Sequence, residues 1–364
     1  MHEEDASPQG NDTDAVAGGG RNGTPMAFII SSPRSGSTML ERILEAHSAI
    51  LGGPEPHLLT PLAHLGVWAN VEKAPYDHVL AAEAQRAFVE RLPGGEADYW
   101  AACRAYCDAL YGRLLEASGK RIMLDKTPAY ALILPFLAHV FPDARYIVLS
   151  RHPAATLASY ANSFFDGDYA AAYAYNPILR RYAPAMAAFL RRRDVAALHV
   201  RYEDLVMAPE AWVKRIHAYL CVPHEPETID YGASGGGEAA SRGGAGSLGD
   251  PIGVGAHRRP STASLHKWAA EVREDTRKRA FLEKVIAELD PADLAELGYP
   301  VETLWAPLTE GADAPVRPPG RRRWTRYRLQ RRMIVGLRGM TQKTPALQRL
   351  LRTVRLGCDV LLRE

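Results

Sequence analysis

At 364 residues and 47% hydrophobic composition, the chain carries enough apolar material for one large α/β domain or two modest ones, and it reads as a soluble globular protein. There is no run of about 18 apolar residues, no disulfide framework or zinc-ligand pairing among Cys103, Cys107, Cys221 and Cys358, and no signal-peptide core or transit pattern in residues 1–25; a cytoplasmic protein with reduced thiols is expected. The formal charge is only +2, but residues 321–364 hold thirteen Lys/Arg against two acids, a local +11 that leaves −9 for residues 1–320.

Residues 1–25 are polar and Gly-rich and cannot bury enough apolar surface to fold, so a disordered tail is expected there and a folded domain over 26–305. FIIS reads as a strand, the stretch from Ser37 to His47 as a helix, and LGG leads into PEPHLLTPL. From Ala74 to Ser118 the pattern is helical throughout, with apolar positions at three- and four-residue steps. RIMLDKTP reads as a strand entering a loop, ARYIVLSRHPAATLASYAN as strand, turn and helix, and LHVRYEDLVMAPEAWVKRIHAYLCV as strand, acidic turn and a helix starting near Pro209. The Gly-rich segment YGASGGGEAASRGGAGSLGDPIGVG predicts a mobile loop, after which STASLHKWAAEV opens a helix running to about Leu289. Alternation of this kind predicts a mainly parallel central sheet flanked by helices.

The turn SPRSGST follows the first strand and opens a helix. Backbone N–H groups at a helix start are unpaired and carry the positive end of its dipole, so this arrangement invites a phosphate. Ser35, Gly36, Ser37 and Thr38 are small enough for close approach, and Arg34 adds a planar, permanent charge. A Walker loop would need GxxxxGK[ST]; neither its leading glycine nor its lysine is present, which argues against a nucleoside triphosphate. At the end of YIVLS stands Arg151, with Ser159 one to two helical turns later, a pair able to grip a second phosphate.

In this order, PRSGSTML, RHPAATLASY and VRYEDLV resemble the nucleotide-binding signatures of sulfotransferases that use 3′-phosphoadenosine 5′-phosphosulfate (PAPS) and release 3′-phosphoadenosine 5′-phosphate (PAP). The resemblance spans about Met26 to Pro300. It implies a P-loop-like three-layer α/β fold. It also implies that Arg34 and the amides of Ser35, Gly36, Ser37 and Thr38 hold the 5′-phosphosulfate, that Arg151 and Ser159 hold the 3′-phosphate, and that Tyr202 lies near the adenine or ribose. Cytosolic sulfotransferases of the steroid and phenol type carry a lysine in the first loop and an RKG motif near the C-terminus. This chain has Arg34 and, in place of RKG, GDPIGVGAHRRPSTASLHKW, which is similar to the tyrosylprotein enzymes and to bacterial sulfotransferases acting on polyketide acyl chains; the PRSGST loop also resembles trehalose sulfotransferases.

Sulfuryl transfer, like phosphoryl transfer, proceeds by in-line attack of a hydroxyl while charge builds on the leaving oxygen, and it requires a base and positioned cations but no metal. Ligands of parallel sheets bind beyond the strands' carboxyl ends, which directs attention to Glu55 and His57 in GGPEPHLLTPL. Glu55 is the first candidate base by resemblance to the tyrosylprotein and trehalose enzymes; His57 has the better intrinsic pKa and is the second. By the same resemblance Lys126 of LDKTP is a candidate transition-state cation, the alternatives being an ion pair with Asp125 or a surface lysine. His257 and Arg258 are candidates to close over the cofactor or acceptor.

The extension beyond residue 305 ends in a basic amphipathic segment with Leu347, Leu350, Leu351, Val354, Leu361 and Leu362 on a helical stripe. Such a helix suits an anionic membrane surface or an acidic partner such as an acyl carrier protein. A helix pair packed on the domain or a homodimer contact is the competing reading, and no nucleic-acid module accompanies it. Two other function classes compete with the sulfotransferase: a P-loop kinase-like enzyme, which would need Mg²⁺ and a strand-end carboxylate to hold it, and a non-catalytic protein of the same fold that binds membranes or polyanions. The acceptor, whether small molecule, lipid, polyketide, sugar or protein tyrosine, stays open, with a small or lipid-like hydroxyl favoured by the apolar PEPHLLTPL.

Overall fold

A computed structural model of the chain describes residues 23–53, 55, 58–63, 85–192, 194–231 and 258–309. The expected N-terminal tail, the Gly-rich loop and the basic extension therefore lie outside the described residues, apart from their edges. Five strands form one all-parallel sheet: β1 (Met26–Ser31), β2 (Ile50–Leu51), β3 (Ile122–Asp125), β4 (Arg145–Ser150) and β5 (Ala197–Arg201), in the order β2-β3-β1-β4-β5. Every residue of β1 is buried, as a central parallel strand requires when helices cover both faces.

Alternation along β1 divides the core. Phe28 and Ile30 face one hydrophobic cluster and Ala27 and Ile29 the other. On the second face lie α1 (Ser37–Glu45), through Leu40, Ile43 and Leu44, and the helix after β5. A short helix, α2 (Leu59–Ala63), precedes the first described helices of the opposite face, α3 (Glu96–Ser118), α4 (Leu134–Val140) and α5 (Pro153–Phe164). Phe28 anchors this face, its ring 5.5 Å from Tyr146 and 5.3 Å from Phe141. The helix after β1 thus leaves to one side while those after its neighbours β3 and β4 leave to the other. This divergence opens a crevice at the carboxyl end of β1.

The remaining elements refine the expectations. The helical stretch expected from Ala74 to Ser118 is broken at Pro93-Gly94-Gly95, where Gly95 has φ 56°, and α3 begins only at Glu96. Helices α6 (Tyr169–Tyr175) and α7 (Ile178–Arg191) follow α5. YEDLVM, expected as an acidic turn, is the short helix α8 (Tyr202–Met207), and α9 (Pro209–Tyr219) starts at its proline as expected. The helix expected to run to Leu289 is two, α10 (Lys267–Glu274) and α11 (Thr276–Ala287), because the Asp275 carboxylate accepts from the amides of Arg277 and Lys278 and caps a fresh start. Helix α12 (Pro291–Glu296) packs on α7.

Candidate active site

The loop after β1 turns sharply through two left-handed residues, Arg34 at φ 70° and Gly36 at φ 93°. Gly36 is the N-cap of α1 and no side chain caps that end, while its carbonyl accepts from the amides of Met39 and Leu40. The amides of Ser37 and Thr38 belong to the orphan set of a helix start, and no acidic residue occupies the first turn to compensate their charge. Ser32 and Ser35 lock the loop through a 2.6 Å hydroxyl contact. Glycine is required at position 36 on two grounds: its φ is strained for any L side chain, and a Cβ there would lie 2.5 Å from Cδ2 of Tyr202. Gly36→Ala is expected to lower stability by about 1–3 kcal/mol, which denaturant melts would register.

On the β4 side the structure gathers the predicted anion ligands. The Nε of Arg34 donates to the Ser159 hydroxyl at 3.3 Å. Arg151 donates from Nη1 to the carbonyl of Arg34 at 3.0 Å and from Nη2 to the carbonyl of Ser264 at 3.1 Å, and its guanidinium lies 4.3 Å above the Tyr202 ring. Its Nε is buried with no hydrogen-bond partner among the described residues. Arg34 and Ser159, assigned by the resemblance to separate phosphates, are therefore in contact, and Arg151 reaches the same loop through the Arg34 carbonyl.

The third motif acts partly in a way the sequence did not indicate. Glu203 accepts the His152 backbone N–H at 3.0 Å and the Tyr299 hydroxyl at 2.6 Å, and so fixes the turn that carries Arg151. The His152 ring stacks on Trp268 at 4.5 Å and its Nε2 lies 2.8 Å from the Leu304 carbonyl, to which it donates. Burial pushes the His152 pKa from 6.5 down to about 4. The unfolded chain therefore takes up this proton first, and the contribution of the neutral ring, intact above pH 6.5, fades as pH falls toward 4, by about 3 kcal/mol in total. Urea melts at pH 7 and 4.5 should show the loss, and His152→Gln should reduce it.

On the β3 side, strand alternation sends Asp125 and Lys126 apart. Asp125 turns into the core and accepts from Tyr111 (2.5 Å), Tyr130 (3.1 Å) and Thr127 (3.1 Å). Neither alternative for Lys126 holds: it pairs with other carboxyl groups than Asp125, and it is not at the surface. Lys126, only 2% exposed, instead places Nζ 2.5 Å from Oε1 of Glu55 and 3.3 Å from Oε2 of Glu41. Burial lowers its pKa, but the adjoining Glu41 and Glu55 carboxyl groups together more than offset this and the net direction is upward, so it stays charged. Glu41 had no motif to mark it; a glutamate on the buried face of α1 was the signal available.

Arg258 is exposed, and its neighbour Arg259 bridges Glu210 (2.6 Å) and Asp230 (3.5 Å). His57 and His257 lie outside the described residues. Among the described residues no group of three or more His, Cys, Asp or Glu is placed to hold a metal ion, and no helix is long and apolar enough to cross a membrane.

A basic loop between a buried lysine and a buried arginine, at the carboxyl end of a parallel sheet, suits a ligand with two anionic groups. The sulfotransferase family profile matches residues 25–226, more than half of the chain, covering this loop, Lys126, Arg151 and Tyr202. The chain belongs to the sulfotransferase family. Among sulfotransferases and related proteins it is similar to nodulation protein NoeE of Sinorhizobium fredii, 36% identical over 37% of this chain and 30% of the relative. It is also similar to protein-tyrosine sulfotransferase 1 of Danio rerio, 26% identical over 58% of each chain. The chain thus spans at most 58% of the length of either curated relative. The sulfotransferase domain of the Synechococcus PCC 7002 olefin synthase is 26% identical over 74% of this chain and 97% of its own, with a TM-score of 0.47.

Proposed function

We propose that this sulfotransferase moves the sulfuryl group of PAPS to a hydroxyl acceptor. The observation that carries the reading is Arg151: a buried guanidinium whose partners among the described residues are two backbone carbonyls and an aromatic face, none of them an anion, with Nε left unpaired. Glu203 is near enough to attract this charge but makes no hydrogen bond to it, and burying a permanent charge with no hydrogen-bonded anion is costly unless an anionic ligand completes the site. Arg151 and Ser159 would hold the 3′-phosphate, Arg34 with the amides of Ser35, Gly36, Ser37 and Thr38 the 5′-phosphosulfate, and Tyr202 the nucleoside side, with His257 and Arg258 closing over it.

The donor supplies an activated sulfur whose bond to the phosphate oxygen breaks as the acceptor oxygen bonds to it. Glu55 takes the acceptor proton, with His57 as the second candidate base, and Lys126 faces the negative charge that grows on the departing oxygen. A small or lipid-like hydroxyl fits the apolar segment around Glu55 best, with a polyketide or sugar as further acceptor classes. The +11 extension would bring the enzyme to an acidic carrier protein or an anionic membrane surface within the cytoplasm, or join two copies. The test is transfer of ³⁵S from labelled PAPS to a panel of alcohols, lipids and sugars, with and without chelator. Label in an acceptor fraction with chelator present supports the reading; no transfer to any acceptor, together with ATP turnover, would replace it with the kinase-like alternative.

A further inference from the structure

One ammonium between two buried carboxyls raises a question of charge. If Glu41 and Glu55 were both ionised, the group with Lys126 would carry net −1 beside a loop built to receive a polyanion. Glu41 is the more confined of the two contacts to Lys126: its side chain is 8% exposed, its one contact to Lys126 is the longer at 3.3 Å, and its Oε1 is buried with no hydrogen-bond partner among the described residues. A bare, buried oxygen is costlier on a carboxylate than on a neutral carboxylic acid.

We propose that Glu41 is a positioning residue that holds a proton at neutral pH, so that Lys126 has a single counter-ion, Glu55, in the resting site. The inference rests on the sulfuryl-transfer reading and deepens it. When Glu55 takes the acceptor proton, its charge is lost and the ammonium is left uncompensated as negative charge develops on the leaving oxygen. An ionised Glu41 would cancel that charge; a protonated one lets proton uptake at Glu55 expose it. The charged groups facing Glu41 are Lys126, the residue just after β3, Glu55 from the segment before α2 and Glu45 from the next turn of α1. Burial raises the Glu41 pKa from 4.5 to about 8, against the pull of Lys126 and with smaller upward pushes from Glu45 and Glu55.

The experiment is a pH titration of the full chain labelled with ¹³C at the glutamate side-chain carboxyls, paired with calorimetry of PAP binding at pH 7 and 9.5, in wild type and Glu41→Gln. The expected result is one carboxyl signal titrating near 8 and absent from the variant. PAP affinity should fall about tenfold from pH 7 to 9.5 in wild type but change by less than about half as much in the variant, which mimics the protonated acid. Should the variant not fold, the wild-type titration decides alone. Titration of every glutamate in the ordinary carboxylate range, or the same pH dependence of PAP affinity in both proteins, would overturn the proposal. No PAP binding at either pH, with one carboxyl still titrating near 8, would refute the donor reading and leave the buried proton standing.

Discussion

Replacing Arg151 by alanine should weaken PAP binding about 30- to 150-fold, the loss of about 2–3 kcal/mol in charge-assisted hydrogen bonds from a desolvated guanidinium. The size of the effect follows from burial and from hydrogen-bond partners that are all neutral: the side chain is held by the carbonyls of Arg34 and Ser264 and by the Tyr202 face, while the nearby Glu203 carboxylate is engaged by the His152 amide and the Tyr299 hydroxyl. Arg151→Lys should recover little, because an ammonium cannot reach two carbonyls and stack on a ring in one plane. Ser159→Ala removes one neutral hydroxyl that contacts Arg34 and should cost less than about tenfold. Since Arg151 also steadies the first loop, thermal melts must accompany the calorimetry. Unchanged PAP affinity in a folded Arg151→Ala protein would remove the anion site from this side of the crevice.

The second large effect concerns turnover. Glu55→Gln should lower kcat by about 10²–10⁴, the usual worth of a positioned general base, and leave PAP affinity within about threefold. The split between kcat and binding separates a base from a structural carboxylate, because a structural loss would move both. Lys126→Ala is a poorer probe of chemistry. It would remove the ammonium that contacts both Glu41 and Glu55 in the interior, a change worth about 3–5 kcal/mol of stability. Full turnover in Glu55→Gln would pass the role of base to His57.

Much of this site was legible because its signals are local. An apolar strand, a small-residue turn around Arg34 and an amphipathic helix specify the first loop within twenty residues, and the strands ending at Asp125, Ser150 and Arg201 are apolar runs bounded by charged turns. What escaped the sequence depends on strand order. Glu203 grips the His152 amide only because β4 and β5 are neighbours, and Lys126 meets Glu41 only because β3 lies beside β1, whose following helix carries that glutamate. The contact of Arg34 with Ser159 likewise joins the loop after β1 to the helix after its neighbour β4. Helix ends were misjudged where a single residue decides them: Gly95 starts α3 late and Asp275 splits α10 from α11, both overriding an apolar periodicity that runs on regardless.

The central claim is that the loop of Ser32 to Thr38, with Arg151, is built for a 3′-phosphorylated adenine nucleotide and needs no metal to bind it. Calorimetric titration of the purified protein with PAP and with ADP, each with and without Mg²⁺, tests this most directly. Binding that prefers PAP and is indifferent to Mg²⁺ is the predicted result. Preference for ADP in the presence of Mg²⁺, or no binding of either nucleotide, would contradict it.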